Sequence, residues 1–178
     1  MKKIQAVFLL FIPVSFVFFS CGKKQETFNN KEYHIQFDEL VHFVKNHPSL
    51  IKTNDARSGK YCVYTDAKVP YGIDYCMNVA DLLPNPPKTI VVEGYGKTVS
   101  AGAKAAYVIS LENPQNQIQA YEAIDVKKFI KKPGEWSAFK LVLPLKPQLL
   151  DPNNLIKIYG WNFGQDAVMF DDLSIRFE

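Results

Sequence analysis

Beyond residue 30, hydrophobic positions recur mostly every second residue, in short runs rich in β-branched and aromatic side chains. That period sends alternate side chains to opposite faces of a strand. It predicts nine strands, over residues 33–40, 60–65, 71–79, 88–96, 103–112, 117–126, 135–144, 155–162 and 167–177. Between them lie Asn85-Pro86-Pro87, Asn113-Pro114, Pro133-Gly134, Pro147 and Asp151-Pro152-Asn153-Asn154, residue types that favour turns and break strands. A helical period shows only briefly, over residues 39–45, with one further turn over 126–131. Strands in succession without long helices predict an all-β fold, an antiparallel β-sandwich of jelly-roll type rather than a parallel α/β sheet. No internal repeat divides the chain.

Parity assigns the faces. Ile156 and Ile158 share one side of their run, and Lys157, Tyr159 and Trp161 share the other, which the lysine marks as the wetter one. Near the C-terminus Leu173, Ile175 and Phe177 point inward together with Asp171, whereas Asp172, Ser174 and Arg176 point outward. An inward carboxylate needs a partner, because burying an unpaired charge is very costly.

The first residues follow another pattern. Met1-Lys2-Lys3 is followed by an apolar stretch from Ile4 to Phe19, broken only by Gln5 and Ser15, and then by Ser20-Cys21-Gly22. A basic start, an apolar stretch and a small residue before a cut describe a secretory signal. A permanent membrane helix needs about 20 apolar residues, and Pro13 interrupts this run. The segment resembles a bacterial lipoprotein signal, in which cleavage precedes a cysteine whose sulfur receives diacylglycerol. Ser20 and Cys21 fit that pattern, while Phe18 and Phe19 stand where a Leu and a small residue are usual. The alternative is an ordinary secretory signal in which Cys21 is incidental. The resemblance implies lipidation of Cys21 with diacylglycerol and palmitate-type acyl chains, which together hold a protein on a membrane durably where one chain binds only marginally. Gly22 follows the cysteine where Asp would signal retention at the inner membrane, so the resemblance implies the outer membrane. The stretch after it is polar and aperiodic, as a flexible tether is. The expected organisation is a signal peptide (1–20), a lipidated tether (21–31) and one sandwich domain (32–178).

Removing the first twenty of 178 residues leaves 158, with 19 basic residues (21 less Lys2 and Lys3) against 18 acidic ones. A net charge of about +1 supplies no electrostatic case for nucleic acid, which calls for a clustered basic excess. Lys127, Lys128, Lys131 and Lys132 form a short basic run that reads as a solvated turn face.

An oxidising compartment permits disulfides, and Cys62 and Cys76 remain after the anchor. If the runs 60–65 and 71–79 form a hairpin centred near residue 69, the two cysteines face each other. They would then bridge if their Cα atoms lie within about 7 Å. If the runs belong to different sheets, both are buried free thiols acting as small hydrophobes.

No constellation for catalysis is visible. The histidines are His34, His42 and His47, and HExxH, GxSxG, P-loop and GxGxxG patterns are all missing from the sequence. Gly94-Tyr95-Gly96-Lys97 is a lone Gly-x-Gly in a strand-rich stretch. Short loops also leave little material for a deep cleft, so the chain is not expected to be an enzyme.

Five segments occur in a telling order: Phe37-Asp38-Glu39, Ala56-Arg57-Ser58-Gly59-Lys60-Tyr61, Gly134-Glu135-Trp136, Lys157-Ile158-Tyr159-Gly160-Trp161-Asn162 and Phe170-Asp171-Asp172-Leu173-Ser174-Ile175. They resemble the opening and closing strands of jelly-roll carbohydrate-binding modules and the wider galactose-binding-like sandwiches. In many such modules a structural calcium ties the first strand to the last. Carried over, its ligands would be Asp38 or Glu39, carbonyls around Ser58 to Lys60, and Asp171, hard oxygen donors of the type calcium takes. Otherwise Asp171 accepts hydrogen bonds from a backbone turn or pairs with a cation. No other cofactor is expected.

Sugar binding in such modules relies on aromatic platforms with polar neighbours. Tyr159 and Trp161 are the candidate platform, with Asn162 or Lys157 as polar neighbours, and Tyr95, Tyr107 and Tyr121 are candidates on adjoining strands. Trp136 reads as a packing residue. Two functions stay open: a lipid-anchored, non-catalytic envelope module that binds carbohydrate, or a structural module that contacts other envelope proteins and has no sugar site. A solvent-exposed aromatic pair in a groove favours the first, and a broad flat apolar face favours the second.

Overall fold

The computed structural model describes residues 31–44, 46–83 and 85–178. The signal segment, Cys21 and nearly all of the tether lie outside the described residues. The strands are β1 (Lys31–Ile35), β2 (Leu50–Lys52), β3 (Tyr61–Thr65), β4 (Tyr75–Asn78), β5 (Thr89–Thr98), β6 (Ala105–Glu112), β7 (Ile118–Asp125), β8 (Ser137–Pro144), β9 (Leu155–Asn162) and β10 (Val168–Phe177). Single helical turns, α1 (Phe37–Leu40) and α2 (Val126–Phe129), and two 3₁₀ turns complete the described elements. All strand pairs are antiparallel. One sheet runs β2-β3-β10-β5-β8, with β1 also on β10, and the other runs β4-β9-β6-β7. The two close as an all-β sandwich, the fold that the alternation predicts.

Three departures from the expected strands have local causes. β2 is three residues long and follows Pro48, too short to display a period. The strand expected over 33–40 ends at Ile35, and the chain turns through α1 so that Phe37 enters the core at 2 % exposure. The strand expected over 71–79 shortens to β4, because before it the chain meets the sheet only around an isolated Tyr71–Trp161 bridge, where Asn162 N donates to Pro70 O and Gly72 N to Gly160 O.

Both sheets bury their facing sides in one cluster. Alternation is complete in β9, where Ile156 and Ile158 are fully buried while Lys157, Tyr159 and Trp161 are partly exposed. Each fully buried aliphatic or aromatic side chain contributes about 1.5–3 kcal/mol. An aromatic group spans the sandwich: the Tyr107 ring lies 4.9 Å from Phe139 and 5.0 Å from Phe170. Phe170 crosses directly over Gly160 of β9, where a Cβ would stand 2.7 Å from its ring.

The hairpin expected to join Cys62 and Cys76 does not form. β3 pairs with β2 and β10, whereas β4 pairs with β9 in the opposite sheet. Both cysteines are free thiols, Cys62 buried and Cys76 exposed, so the reading with two buried thiols holds for Cys62 alone. Burial, then the nearby Asp171 and Asp55 carboxylates, pushes the Cys62 thiol up to about 12. Partial desolvation and a bond from Sγ to Asp74 Oδ2 (3.0 Å) raise Cys76 to about 12 as well. Neither is poised as a thiolate, the reactive form.

Candidate functional site

The outer face of the four-stranded sheet carries the candidate site. Register sets side chains of contrasting size next to each other across it. Ala106 of β6 pairs with Trp161, Val108 with Tyr159 and Ser110 with Lys157. On the far side the same three residues pair with Asp125, Ala123 and Tyr121 of β7. Small residues on the central strand thus form a floor, and the large side chains of β9 form a ridge along it.

Aromatic rings continue the ridge. Tyr71 bridges to the Trp161 backbone, and its ring meets that of Tyr159 edge-on at 6.1 Å. The Trp161 and Phe163 rings lie 5.0 Å apart. Tyr71 is 56 % exposed, and Phe163 and Tyr121 are also exposed. Burial raises the Tyr159 hydroxyl above its ordinary range, opposed by a hydrogen bond with Ser110.

Fixed polar groups stand beside the rings. Lys157 Nζ lies 2.6 Å from Glu112 Oε2, and Ser110 Oγ donates to Glu112 Oε1 at 2.9 Å. The bond to Glu112 raises Lys157 above the usual ammonium range. Tyr71, Asp74, Glu112, Lys157, Tyr159 and His47 line a depression of about 340 Å³. Apolar ring surface next to immobilised acceptors and one ammonium suits a ligand that has both apolar C–H faces and many hydroxyls, since a few placed polar groups orient a ligand held on apolar surface.

Of the candidates from the sequence, Tyr159 and Trp161 share this face as parity requires, with Lys157 beside them. Asn162 does not belong to it. The alternation that exposes Trp161 turns Asn162 inward to 2 % exposure. Its Nδ2 donates to Thr65 O (3.2 Å) and Asp166 O (2.9 Å), and its Oδ1 accepts from Gly164 N (2.9 Å). Asn162 is therefore a bracket for the loop after β9. Tyr107 is a core residue at 2 % exposure, and Tyr95 lies on the other sheet with the Arg57 guanidinium 3.4 Å over its ring. Only Tyr121 of that trio reaches the face. Trp136, read as a packing residue, lies outside the core cluster; its Nε1 donates to Asp55 O at 3.2 Å and Lys97 Nζ stands 5.9 Å from its ring. Tyr71, Phe163 and Glu112 were not singled out by the sequence. Continuing the parity of β9 by one step past Asn162 would have found Phe163.

The carboxylates proposed for calcium sit differently. Asp171 is 1 % exposed. Its Oδ2 accepts from Arg57 N (2.8 Å) and Ser58 N (3.3 Å), and its Oδ1 accepts from Asp172 N (2.8 Å). Asp38 accepts from Lys60 N at 2.9 Å and Tyr61 N at 3.3 Å, and Glu39 is exposed. Backbone N–H groups thus meet both buried-side carboxylates, and N–H donors do not ligate a cation. Among the described residues, no three His, Cys, Asp or Glu side chains cluster to hold a metal ion. The Asp171 contacts are those of the backbone-turn alternative.

No protein-family model matches the chain, and no curated protein matches it. Among solved structures, the chain is similar to the CBM22-1 xylan-binding domain of Paenibacillus barcinonensis Xyn10C, at 14 % identity and a TM-score of 0.44, over 72 % of this chain and 78 % of that one. The C-terminal family 22 carbohydrate-binding module of Clostridium thermocellum Xyn10B aligns at 10 % identity and a TM-score of 0.47, over 82 % and 91 %. The enzymatically active domain of bacteriophage CBA120 tailspike protein 4 aligns at 9 % identity and a TM-score of 0.46, over 84 % of this chain and 19 % of that one. Likenesses of this size leave the function to the chain's own residues.

Proposed function

We propose that this protein is a non-catalytic carbohydrate-binding module that receives glycan on the outer face of the four-stranded sheet. The observation that carries the reading is the aromatic row of exposed Tyr71 and half-buried Tyr159 and Trp161 beside the immobilised Lys157–Glu112 pair. A pyranose stacks its C–H face on such rings and gives its hydroxyls to the fixed charges. Glu112 is tied to both Lys157 and Ser110, which suits it to orient a ligand rather than to shuttle protons. The proposed setting is the cell envelope, with the domain carried on the outer membrane by acyl chains on Cys21.

A glycan array tests the binding. The wild-type protein is expected to bind one glycan class, with Tyr71→Ala and Trp161→Ala each weakening it about five- to tenfold, the scale of one lost aromatic contact. A folded protein that binds nothing on the array would overturn the reading in favour of an envelope interaction module. The anchor is tested by labelling cells with an alkyne fatty acid. Label is expected on the wild-type chain and none on Cys21→Ser, and equal labelling would overturn the lipoprotein assignment.

A further inference from the structure

Two depressions meet at the edge strand of the four-stranded sheet. The first is the polar one on the outer face, bounded by Tyr71, Lys157 and Glu112. The second, of about 480 Å³, is lined by the β1–α1 segment and by Ile73, Asp74 and Tyr75 where the chain enters β4. Its walls are mainly apolar, with Tyr33, Ile35, Phe43, Ile73 and Tyr75 among them, and it reaches Tyr107 in the core. Asp74 lines both depressions. Gly72 belongs to the first and Ile73 to the second, so a short stretch of backbone is the partition between them.

The slot has the size of a small-molecule site, and although Glu32, His34, Gln36, Glu39 and Asp74 also line it, apolar surface predominates. Phe43 stands at this slot with 84 % of its surface exposed. A sugar on the outer face therefore has an apolar cavity immediately over the sheet edge, and a carboxylate at the crossing. We propose that the ligand is an amphiphilic glycoconjugate. Its sugar lies against Tyr71 and Tyr159, and its alkyl aglycone turns past Asp74 into the slot beside Phe43 and Ile73. This inference rests on the glycan reading above.

The test is calorimetric titration of matched methyl and n-hexyl glycosides of glucose, galactose, mannose, xylose and N-acetylglucosamine, below the micelle concentration. The full chain carries Cys21→Ser, so that no acyl chain of its own competes. The hexyl form of one sugar is expected to bind at least about tenfold more tightly than its methyl form, a modest fraction of the gain from burying five further methylenes. Phe43→Ser, at an exposed position that leaves the fold intact, is expected to remove most of that advantage without changing methyl-glycoside affinity. Equal binding of the two forms overturns the inference while the glycan reading stands. A hexyl advantage that survives Phe43→Ser overturns it too, because the chain then sits elsewhere. Failure of every glycoside to bind overturns the glycan reading and this inference with it.

Discussion

At Asp171 the last strand changes partners. β10 pairs with β3 through Phe170 and with β1 from Leu173 onward, and the ladder to β5 shifts register between Asp171 and Ser174. Asp172 takes φ +49 there. The gap between β3 and β1 is filled by the Asp171 carboxylate, which holds the N–H groups of Arg57 and Ser58. Asp172 adds side-chain bonds to Arg57 and Ser58 from the outside. Burial raises the Asp171 carboxyl above its ordinary range, and the three N–H bonds oppose that rise. Asp171→Asn keeps the shape but turns an NH₂ toward N–H donors, and it is expected to cost about 1–3 kcal/mol, read from urea midpoints. A neighbouring test is Gly59→Ala. Gly59 has φ +60, and a Cβ there would collide with the Asp38 carboxylate, so a loss of about 1 kcal/mol or more is expected. Because N–H groups occupy these carboxylates, thermal melts with calcium and with chelator are expected to coincide. A calcium-dependent rise in Tm would restore the metal reading.

Between elements, the outer face of the six-stranded sheet is laced by charge. Glu93 of β5 accepts from Arg176 Nη1 of β10 at 2.8 Å and pairs with Lys140 Nζ of β8 at 3.0 Å. Arg176 also bonds Glu178, and Ser174 donates to Glu32 of β1. The bond from Arg176, then that from Lys140, pulls the Glu93 carboxyl from 4.5 down to about 2. A carboxyl depressed on folding adds stability that is fully present above its unfolded pKa and lost as pH falls through the folded one. Glu93→Gln is therefore expected to be less stable than wild type at about pH 7, with the gap closing between 4.5 and about 2. Added salt should shrink the gap at neutral pH, since these groups are partly exposed. Denaturation midpoints across pH and salt check both. Nearly all of these strands were legible because their alternation is long: β9 reads true residue by residue, and β10 does so from Leu173 to Phe177, whereas before its register shift Val168 and Phe170, of the opposite parity, take the core side. β2 was not, being three residues long, and neither was the stop of β1, where the pull of Phe37 into the core outweighs strand propensity. Sheet membership was also not legible, since alternation says which residues share a face and not which strands share a sheet. That is why Cys62 and Cys76 could be paired on paper and lie in opposite sheets.

Across the whole molecule, the candidate site is the outer surface of a sheet whose inner surface is the core, so the two are mechanically one. Parity foresaw Tyr159 and Trp161 on one face, but the partners that complete the site come from β6, β7 and the turn before β4, whose adjacency only the fold supplies. Tyr71, 88 positions before Tyr159 in the chain, is the clearest case. Gly160 is where face and core are joined. It lies between Tyr159 and Trp161 in sequence, and on its other side the Phe170 ring passes so closely that a Cβ would stand 2.7 Å away. Phe170 cannot yield, because it packs edge-on against Tyr107 at 5.0 Å and against Phe139 at 6.3 Å. Gly160→Ala must therefore push β9 outward, the softer direction. Overpacking of this kind costs about 1–3 kcal/mol. It also moves Tyr159 and Trp161 relative to the floor of Ala106, Val108 and Ser110, so glycan affinity is expected to fall along with stability, although no ligand-facing side chain has changed. Combining the variant with Phe170→Leu removes the ring from the contact. If the coupling is as described, the double variant regains much of the binding that Gly160→Ala loses, measured on the array glycan that wild type prefers. Binding unaffected by Gly160→Ala, in a protein shown to be destabilised, would mean that the ligand does not rest on the β9 ridge.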